Sequence, residues 1–258
     1  MNTPANIPSG SPKRFSKVPE VTLLFWIIKI AATTLGETGG DAVSMSLALG
    51  YLVSSGIFAA IFAASVAAQI AARRFHPLLY WLTIIATTTL GTTVADFADR
   101  SLGIGYAGGS ALLLTLLLGC LFVWHRTLGT IDVSSVNSAR SEAFYWLTIL
   151  FSQTLGTALG DWTADTEGLG FAGGTILFGV LLALTAAAYF FTRVSRTALF
   201  WCAFILTRPL GAVVGDLIDK PLSAGGFAVS RFTVSAVLVL FVVACILIFP
   251  SRAAKSAH

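Results

Sequence analysis

Charged residues are scarce in this sequence. Lysine, arginine, aspartate and glutamate together make up 11% of the 258 residues, whereas they account for about 25% of an ordinary soluble domain. This shortage disfavours a soluble globular protein. Cysteine is also rare, and each copy stands alone within an apolar run, which disfavours a disulfide framework or a thiolate metal site. The cysteines are Cys120, Cys202 and Cys245.

Apolar side chains dominate instead. Hydrophobic residues make up 56% of the chain and the mean hydropathy is +0.84, which is typical of an integral membrane protein. About 20 apolar residues are needed to cross about 30 Å of hydrocarbon, and we identify eight such runs. The sequence therefore predicts an all-α, polytopic membrane protein with eight transmembrane helices. They lie near residues 20–41, 47–71, 77–98, 104–125, 143–163, 169–191, 197–217 and 226–249.

One sequence element recurs four times. In each copy a tryptophan is followed nine residues later by Leu-Gly and fifteen residues later by an aspartate. The tryptophans are 55, 65 and 55 residues apart, and such fixed spacing indicates tandem structural units. Because each unit holds two helices, the four repeats are predicted to be parallel, not inverted. The copies are Trp26/Leu35-Gly36/Asp41, Trp81/Leu90-Gly91/Asp96, Trp146/Leu155-Gly156/Asp161 and Trp201/Leu210-Gly211/Asp216.

The repeats define the domain organisation. We predict a single membrane domain over residues 18–249, with a disordered cytoplasmic tail at 1–17 and a second cytoplasmic tail at 250–258. No cleavable signal peptide is expected before the first helix. The connection from Arg126 to Glu142 is the longest, which suggests two halves of two repeats each. The repeats span about 18–72, 73–126, 141–193 and 196–249.

The charges predict the orientation of the helices. Eleven of the sixteen basic residues fall at one end of the helices, so the positive-inside rule places both termini in the cytoplasm. Nine of the twelve acids fall toward the opposite ends of the odd-numbered helices. The net charge of +4 is thus attributed to membrane orientation and anionic lipid, and no nucleic-acid partner is expected. The basic residues are Lys13, Arg14, Lys17, Arg73, Arg74, Arg126, Arg140, Arg193, Arg196, Arg252 and Lys255, and the acids are Glu37, Asp41, Asp96, Asp99, Asp161, Asp165, Glu167, Asp216 and Asp219.

A stripe of small residues precedes each repeated aspartate. Two small residues four positions apart lie on one helix face and let helices approach closely in lipid. The odd-numbered helices should therefore pack along this stripe, either against one another or against their hairpin partners. The aspartate follows the second small residue directly and should lie near a tight helix contact. The pairs are Gly36/Gly40, Gly91/Ala95, Gly156/Gly160 and Gly211/Gly215.

Four equivalent carboxylates are predicted to gather around one axis. They could not all stay ionised in a low dielectric without a bound cation, protons or buried bases. Two bases occur inside apolar runs, Lys29 and Arg208, and an ion pair from Arg208 to Glu37 or Asp41 would close the array of repeats. Two simpler interpretations remain open. Each aspartate could cap its own turn, and Lys29 could extend to the membrane surface.

The repeats resemble a known family. A tryptophan in each of four tandem two-helix repeats, over about residues 18–249, is similar to the domain-of-unknown-function 347 repeat family of bacterial membrane proteins. The resemblance implies an eight-helix protein of the bacterial inner membrane. It implies no substrate, so the functional hypothesis has to come from the residues themselves. The tryptophans that carry the resemblance are Trp26, Trp81, Trp146 and Trp201.

The leading hypothesis from the residues is a cation transporter, with a divalent metal such as Mn²⁺ as substrate. Hard cations prefer the oxygen ligands that clustered carboxylates and threonine hydroxyls provide. Protonation of the same carboxylates could couple metal movement to protons. No covalent cofactor is expected, the partners are the lipid bilayer and a small cation, and a homo-oligomer is left open. The predicted metal ring is Asp41, Asp96, Asp161 and Asp216, the outer vestibule is Glu37, Asp99, Asp165 and Asp219, and the counter-charges are Arg208 and Lys29.

Two other classes of function were weighed. An intramembrane aspartyl protease would use Gly-Asp pairs such as Gly40-Asp41, but four near-equal copies lack the asymmetry that separates an acid from a base. We therefore expect no enzyme. A membrane sensor or scaffold would make the carboxylates structural. Haem and soft metals are disfavoured because the histidines are predicted at the cytoplasmic side or in the tail. They are His76, His125 and His258.

Overall fold

The structure is a computed structural model, and it describes residues 16–166, 168–249 and 251–254. Some residues used in the sequence analysis lie outside the described residues. They are Lys13, Arg14, Glu167, Lys255 and His258.

Eight α-helices account for most of the described chain. Their ends lie within five residues of those predicted from the apolar runs, which confirms the all-α class and the number of helices. They are α1 Leu23–Asp41, α2 Gly50–Ala71, α3 Pro77–Asp96, α4 Tyr106–Leu128, α5 Ala139–Asp161, α6 Gly170–Phe191, α7 Arg196–Asp219 and α8 Arg231–Ile248.

Local sequence explains several helix ends. The Thr22 hydroxyl accepts a hydrogen bond from the Phe25 amide at the start of α1, and Ser138 forms a capping box with Ser141 at the start of α5. Gly129 ends α4 in the left-handed conformation, with φ of 77°. Beyond the repeated aspartate, the first three odd-numbered helices each continue into one π-helical turn, at Ala42–Ser46, Phe97–Ser101 and Trp162–Thr166.

The odd-numbered helices form a closed inner ring. Helix α1 packs against α3, α3 against α5, α5 against α7, and α7 against α1. The even-numbered helices surround this ring, and each one packs against the odd-numbered helix of the next repeat: α2 on α3, α4 on α5, α6 on α7 and α8 on α1. The four repeats are therefore arranged cyclically, with the last repeat in contact with the first.

The distribution of apolar side chains is the reverse of that in a soluble protein. The outer helices expose large apolar residues such as Leu52, Phe122 and Leu240, which are 64%, 65% and 70% exposed. The inner ring buries charged and hydroxyl side chains. An apolar surface around a polar interior is what a lipid environment requires, and it indicates a multi-pass membrane protein.

Six of the described helices are long and apolar enough to cross a membrane. Helices α1 and α5 are not among them. The first carries Lys29, Glu37 and Asp41, and the second carries Arg140, Glu142 and Asp161. Both lie in the inner ring, where other helices cover their polar groups. The six are α2, α3, α4, α6, α7 and α8.

An aromatic layer fills one end of the ring, which we call the tryptophan end. Trp81 and Trp146 are buried there, and the hydroxyl groups of Tyr80 and Tyr145 lie 2.6 Å apart. The Trp201 indole donates a hydrogen bond to the carbonyl of Ile131, in the long connection between the two halves. This layer closes the ring at the end opposite the repeated aspartates.

The segments that precede and follow the membrane domain in the sequence both make contacts at the tryptophan end. The Lys17 amide donates to the Val136 carbonyl, and its ammonium lies 2.7 Å from Glu142. Pro19 forms an isolated antiparallel bridge with Ala253. Ser16 and Lys17 at one end and residues 251–254 at the other, which the sequence assigned to the tails, thus lie against the membrane domain.

Candidate ion site at the aspartate end

The four repeated aspartates are buried at the end of the ring opposite the aromatic layer, which we call the aspartate end. Each side chain is inside the protein, with an exposed fraction of 3% or less. Their charges lie within electrostatic range of one another around the ring, in the order Asp41, Asp96, Asp161, Asp216 and back to Asp41. The aspartates therefore face the interior of the bundle, and the hypothesis that each caps its own hairpin in outer solvent is wrong.

The glycine stripe explains why the aspartates approach each other. A β-carbon on Gly91 would lie 2.9 Å from the backbone of Gln153 and Thr154 in the next repeat. The equivalent glycine of the fourth repeat, Gly211, meets the backbone of Thr33 at the same 2.9 Å. These contacts join α3 to α5 and α7 to α1 at distances that only glycine allows. Because each repeated aspartate follows its glycine by little more than one helical turn, these contacts bring the aspartates of neighbouring repeats close together.

Arg100 joins two of the four aspartates. Its Nε lies 2.8 Å from Asp96, four residues before it on the same helix, and its Nη2 lies 3.5 Å from Asp161 of the next repeat. The guanidinium is 35% exposed, whereas both carboxylates are buried. The second and third repeats thus share one positive charge.

Lys220 makes the same bridge between the other two aspartates. Its Nζ lies 2.9 Å from Asp216, four residues before it, and 2.6 Å from Asp41 of the first repeat. Although burial disfavours the ammonium form, the nearby carboxylates Asp216, Asp41 and Asp219 hold the pKa of Lys220 above its ordinary value. Arg231, at the start of α8, adds a second base, 3.4 Å from Asp41 and 2.8 Å from Asp219.

Three carboxylates in this region lie close enough to hold one metal ion. Glu37 and Asp41 are four residues apart on the same face of α1, and Asp216 approaches them from α7. One oxygen from each lies within 4.8 Å of the other two, and all three residues are buried. Oxygen ligands in this number and spacing suit a hard divalent cation, with further ligands supplied by water or hydroxyl groups. We call these three residues the carboxylate triad.

Acids outnumber bases in the buried part of the site. Six buried carboxylates, Glu37, Asp41, Asp96, Asp161, Asp216 and Asp219, make ionic contacts with four bases, Arg100, Arg208, Lys220 and Arg231. Because the bases are shared, full ionisation would give this set a net charge of two negative units. One divalent cation or two protons would neutralise them.

Arg208 crosses the centre of the ring. The sequence suggested Glu37 or Asp41 as its partner, and the Nη2 atom lies 3.0 Å from the Glu37 carboxylate. The same nitrogen donates to the hydroxyl groups of Thr92 and Thr157. These three partners belong to the three other repeats and occupy equivalent positions, eleven residues after their tryptophans. A single side chain from the fourth repeat therefore connects all four inner helices on their axis.

Lys29 does not act as a counter-charge to a carboxylate among the described residues. It is fully buried, its Nζ has no hydrogen-bond partner, and it lies 4.1 Å from the centre of the Phe204 ring. The alternative that it extends to the membrane surface is also wrong. Its side chain is directed into the aromatic interior beside α7.

The predicted outer vestibule is divided by the structure. Asp219 is buried and paired with Arg231, so it belongs to the buried site together with Glu37. Asp99 is half-buried against Gly109, and Asp165 is exposed and accepts a hydrogen bond from the Tyr106 hydroxyl. Asp99 and Asp165 therefore lie around the buried site and outside its ionic contacts.

The sequence analysis missed the three bases that contact the aspartates. Arg100 and Lys220 were visible as bases four residues after a repeated aspartate, at equivalent positions in the second and fourth repeats. This spacing places acid and base on one helix face. No local pattern indicated Arg231, because its contact with Asp41 depends on the packing of α8 against α1.

The repeat pattern also identifies the family. A family model described as Repeat of Unknown Function (DUF347) matches four tandem segments, at residues 24–75, 79–130, 144–195 and 199–253. Each segment corresponds to one of the four repeats predicted from the tryptophan spacing. No curated protein and no solved structure matches the chain. Because the four matches cover most of its length, the chain belongs to the DUF347 repeat family.

Proposed function

We propose that the protein is an integral membrane transporter of cations, with a divalent metal such as Mn²⁺ as its leading substrate. The observation that carries the proposal is the carboxylate triad of Glu37, Asp41 and Asp216, whose oxygens lie within 4.8 Å of one another inside the bundle. Buried, closely spaced carboxylates in a membrane domain are costly to maintain and mark ion pathways. The chemistry of the site favours hard cations, because its ligands are oxygen atoms.

The charge balance supports coupling to protons. Because six acids share four bases, the fully ionised set carries two uncompensated negative charges, and either one divalent cation or two protons would neutralise it. Exchange of one for the other would keep the interior neutral throughout a transport cycle. In such a cycle the metal competes with the ammonium of Lys220, which contacts one oxygen each of Asp41 and Asp216.

The proposed membrane arrangement follows from the distribution of charge. Bases flank the tryptophan end and acids lie at the aspartate end, so we place the tryptophan end and both chain termini in the cytoplasm. In this arrangement all eight helices cross the inner membrane, with α1 and α5 shielded from lipid by their neighbours. The described bases at the tryptophan end are Lys17, Arg73, Arg74, Arg126, Arg140, Arg193, Arg196 and Arg252.

The proposal is tested by ion flux in proteoliposomes. Proteoliposomes that contain wild-type protein are assayed for uptake of a panel of divalent and monovalent cations, with and without a pH gradient. They are compared with proteoliposomes that contain Asp41→Asn or Asp161→Asn. The control is Asp132→Asn, which removes a carboxylate at the tryptophan end while asparagine can still accept the hydrogen bond from the Ser134 amide. We expect wild-type flux of a divalent cation that both aspartate variants lose and the control keeps. No flux of any cation from folded wild type would refute transport.

One observation favours a second function, a non-transporting membrane sensor or scaffold. All four repeated aspartates already have basic partners, and Arg208 joins the four inner helices on their axis. In that case the carboxylates are structural. The same experiment separates the two functions, because structural carboxylates predict Asp→Asn variants that lose stability while wild type shows no cation flux.

A further inference from the structure

A second polar layer lies in the ring, between the aromatic layer and the aspartates. It is formed seven residues after the tryptophans, where the four repeats carry Thr33, Thr88, Gln153 and Arg208. Each of these residues packs against the Leu-Gly glycine of the preceding repeat. They therefore form one level of the ring, and Lys29 approaches it from one turn closer to the tryptophan end.

Several polar atoms of this layer and of Lys29 have no hydrogen-bond partner within the described residues. Lys29 Nζ, Arg208 Nε and Nη1, and both amide atoms of Gln153 make no hydrogen bond, and all three side chains are fully buried. The hydroxyl groups of Thr88 and Ser152 are also buried and unpaired. An unpaired buried polar group destabilises a protein, and more so when it is charged. So many at one level need an explanation by a bound group.

The unpaired groups are close to one another. Lys29 lies over the ring of Phe204, which is one helical turn before Arg208 on the same face of α7. The Cβ of Arg208 lies 2.5 Å from where a β-carbon on Gly156 would be, and Gln153 is three residues before that glycine on α5. Arg208 therefore lies within electrostatic range of Lys29, and its side chain packs beside the helical turn that carries Gln153.

The chemistry of the layer favours an anion. Lysine and arginine supply only donors, and the glutamine amide adds two more. Glu37 pairs with Arg208, but Lys29 lies within electrostatic range of the same guanidinium and has no carboxylate partner among the described residues. Water could accept some of these hydrogen bonds, but it would leave the repulsion between Lys29 and Arg208 in place. A small negative ion would satisfy the donors and offset that repulsion.

We propose that Lys29, Gln153 and Arg208 form an internal binding site for a small monovalent anion such as chloride. The site adjoins the carboxylate triad, because Arg208 also contacts Glu37, and it carries the opposite charge preference. It acts as a fixed part of the bundle: the anion joins α1, α5 and α7, which contribute the three side chains. Binding therefore stabilises the closed ring whether or not the protein moves cations.

The first test measures the binding of radioactive chloride to the purified full-length protein in neutral detergent. Wild type should bind chloride saturably, and bromide and nitrate should displace it, whereas gluconate is too large to do so. Lys29→Ile removes the ammonium and introduces the residue that the second and third repeats carry at the equivalent positions 84 and 149. This variant should lose binding. Arg126→Gln, which removes an exposed cation at the tryptophan end, should keep it.

The second test measures thermal unfolding in chloride and in gluconate at equal ionic strength. The unfolding temperature of wild type should rise by roughly 3 °C for each tenfold increase in chloride above the dissociation constant, and Lys29→Ile should show no such rise. Gln153→Thr, which copies Thr33 and Thr88, should bind chloride about tenfold more weakly through loss of donors. Wild type that binds no chloride and unfolds identically in both salts would overturn the proposal, as would unchanged chloride binding by Lys29→Ile.

Discussion

Arg100 and Lys220 stand at equivalent positions in the second and fourth repeats, and each joins its own repeat's aspartate to that of the next. The distances are 2.8 and 3.5 Å for Arg100 and 2.9 and 2.6 Å for Lys220. The first and third repeats carry Met45 and Asp165 at this position, so neither supplies a bridging base. The fourfold sequence repeat thus produces a twofold arrangement of charge, with one base for each pair of aspartates.

Removal of Lys220 should destabilise the protein strongly. Lys220→Met copies the residue of the first repeat and leaves Asp41 and Asp216 without their shared ammonium. Because removal of one partner leaves an uncompensated charge buried, we expect a loss of about 3 kcal/mol in the free energy of unfolding in detergent. Lys220→Arg should retain most of the stability. A loss no larger than that of Arg126→Gln would contradict the bridge.

The bridge should resist alkaline conditions. The folded-state pKa of Lys220 is raised above the unfolded value, so its contribution to stability is complete below the ordinary lysine pKa of about 10.4 and declines only above it. The stability difference between wild type and Lys220→Met should therefore not shrink from about pH 7 to pH 9, because the carboxylates left without the ammonium can only become more ionised as the pH rises. Unfolding curves of both proteins across this range provide the measurement, and a difference that shrinks steadily would count against the assignment.

The glycine contacts predict a position-specific effect of alanine. Gly91→Ala would place a methyl group 2.9 Å from the backbone of Gln153 and Thr154, and backbone atoms there cannot move without separating α3 from α5. Overpacking of this kind costs about 1–3 kcal/mol. The matched control is Gly56→Ala on the outer face of α2, where a methyl group meets no atom within 4 Å. Thermal unfolding of the two variants should differ clearly, with the control near wild type.

The paired hydroxyls of the aromatic layer predict non-additive substitutions. Tyr80→Phe leaves the Tyr145 hydroxyl buried without its 2.6 Å partner and should cost about 1–3 kcal/mol. The double variant Tyr80→Phe/Tyr145→Phe removes both polar groups and should be closer to wild type than either single variant. A double-mutant cycle by chemical denaturation measures the coupling. Strictly additive losses would show that the two hydroxyl groups do not interact.

The closure of the ring can be tested at Arg208. Arg208→Gln, which copies Gln153, removes the contact with Glu37 and should destabilise the protein by about 3 kcal/mol. Adding Glu37→Thr, which copies Thr92, removes the unpaired carboxylate and should recover part of that loss. Recovery identifies the ion pair as the cause. If the second substitution adds a further full loss, Glu37 has its main partner elsewhere.

Much of this fold was predictable from the sequence because the patterns are local. Apolar runs set the helix ends, and the tryptophan spacing gave four parallel repeats. The positions of the outer helices were not predictable, since nothing within a repeat indicates that α2 packs on α3 or α8 on α1. The same limit explains the site. Glu37 and Arg208 were recognised as charges inside apolar runs, whereas Arg231 near Asp41 results from the contact between α8 and α1.

The packing of α8 on α1 has a consequence for biosynthesis. Helix α1 is made first, yet the bases that contact its acids are Arg208, Lys220 and Arg231, which leave the ribosome about 170 to 190 residues later. Until then Glu37 and Asp41 have no ionic partner from their final neighbours. The acids of the first helix are therefore neutralised by bases only after the last helix has been translated.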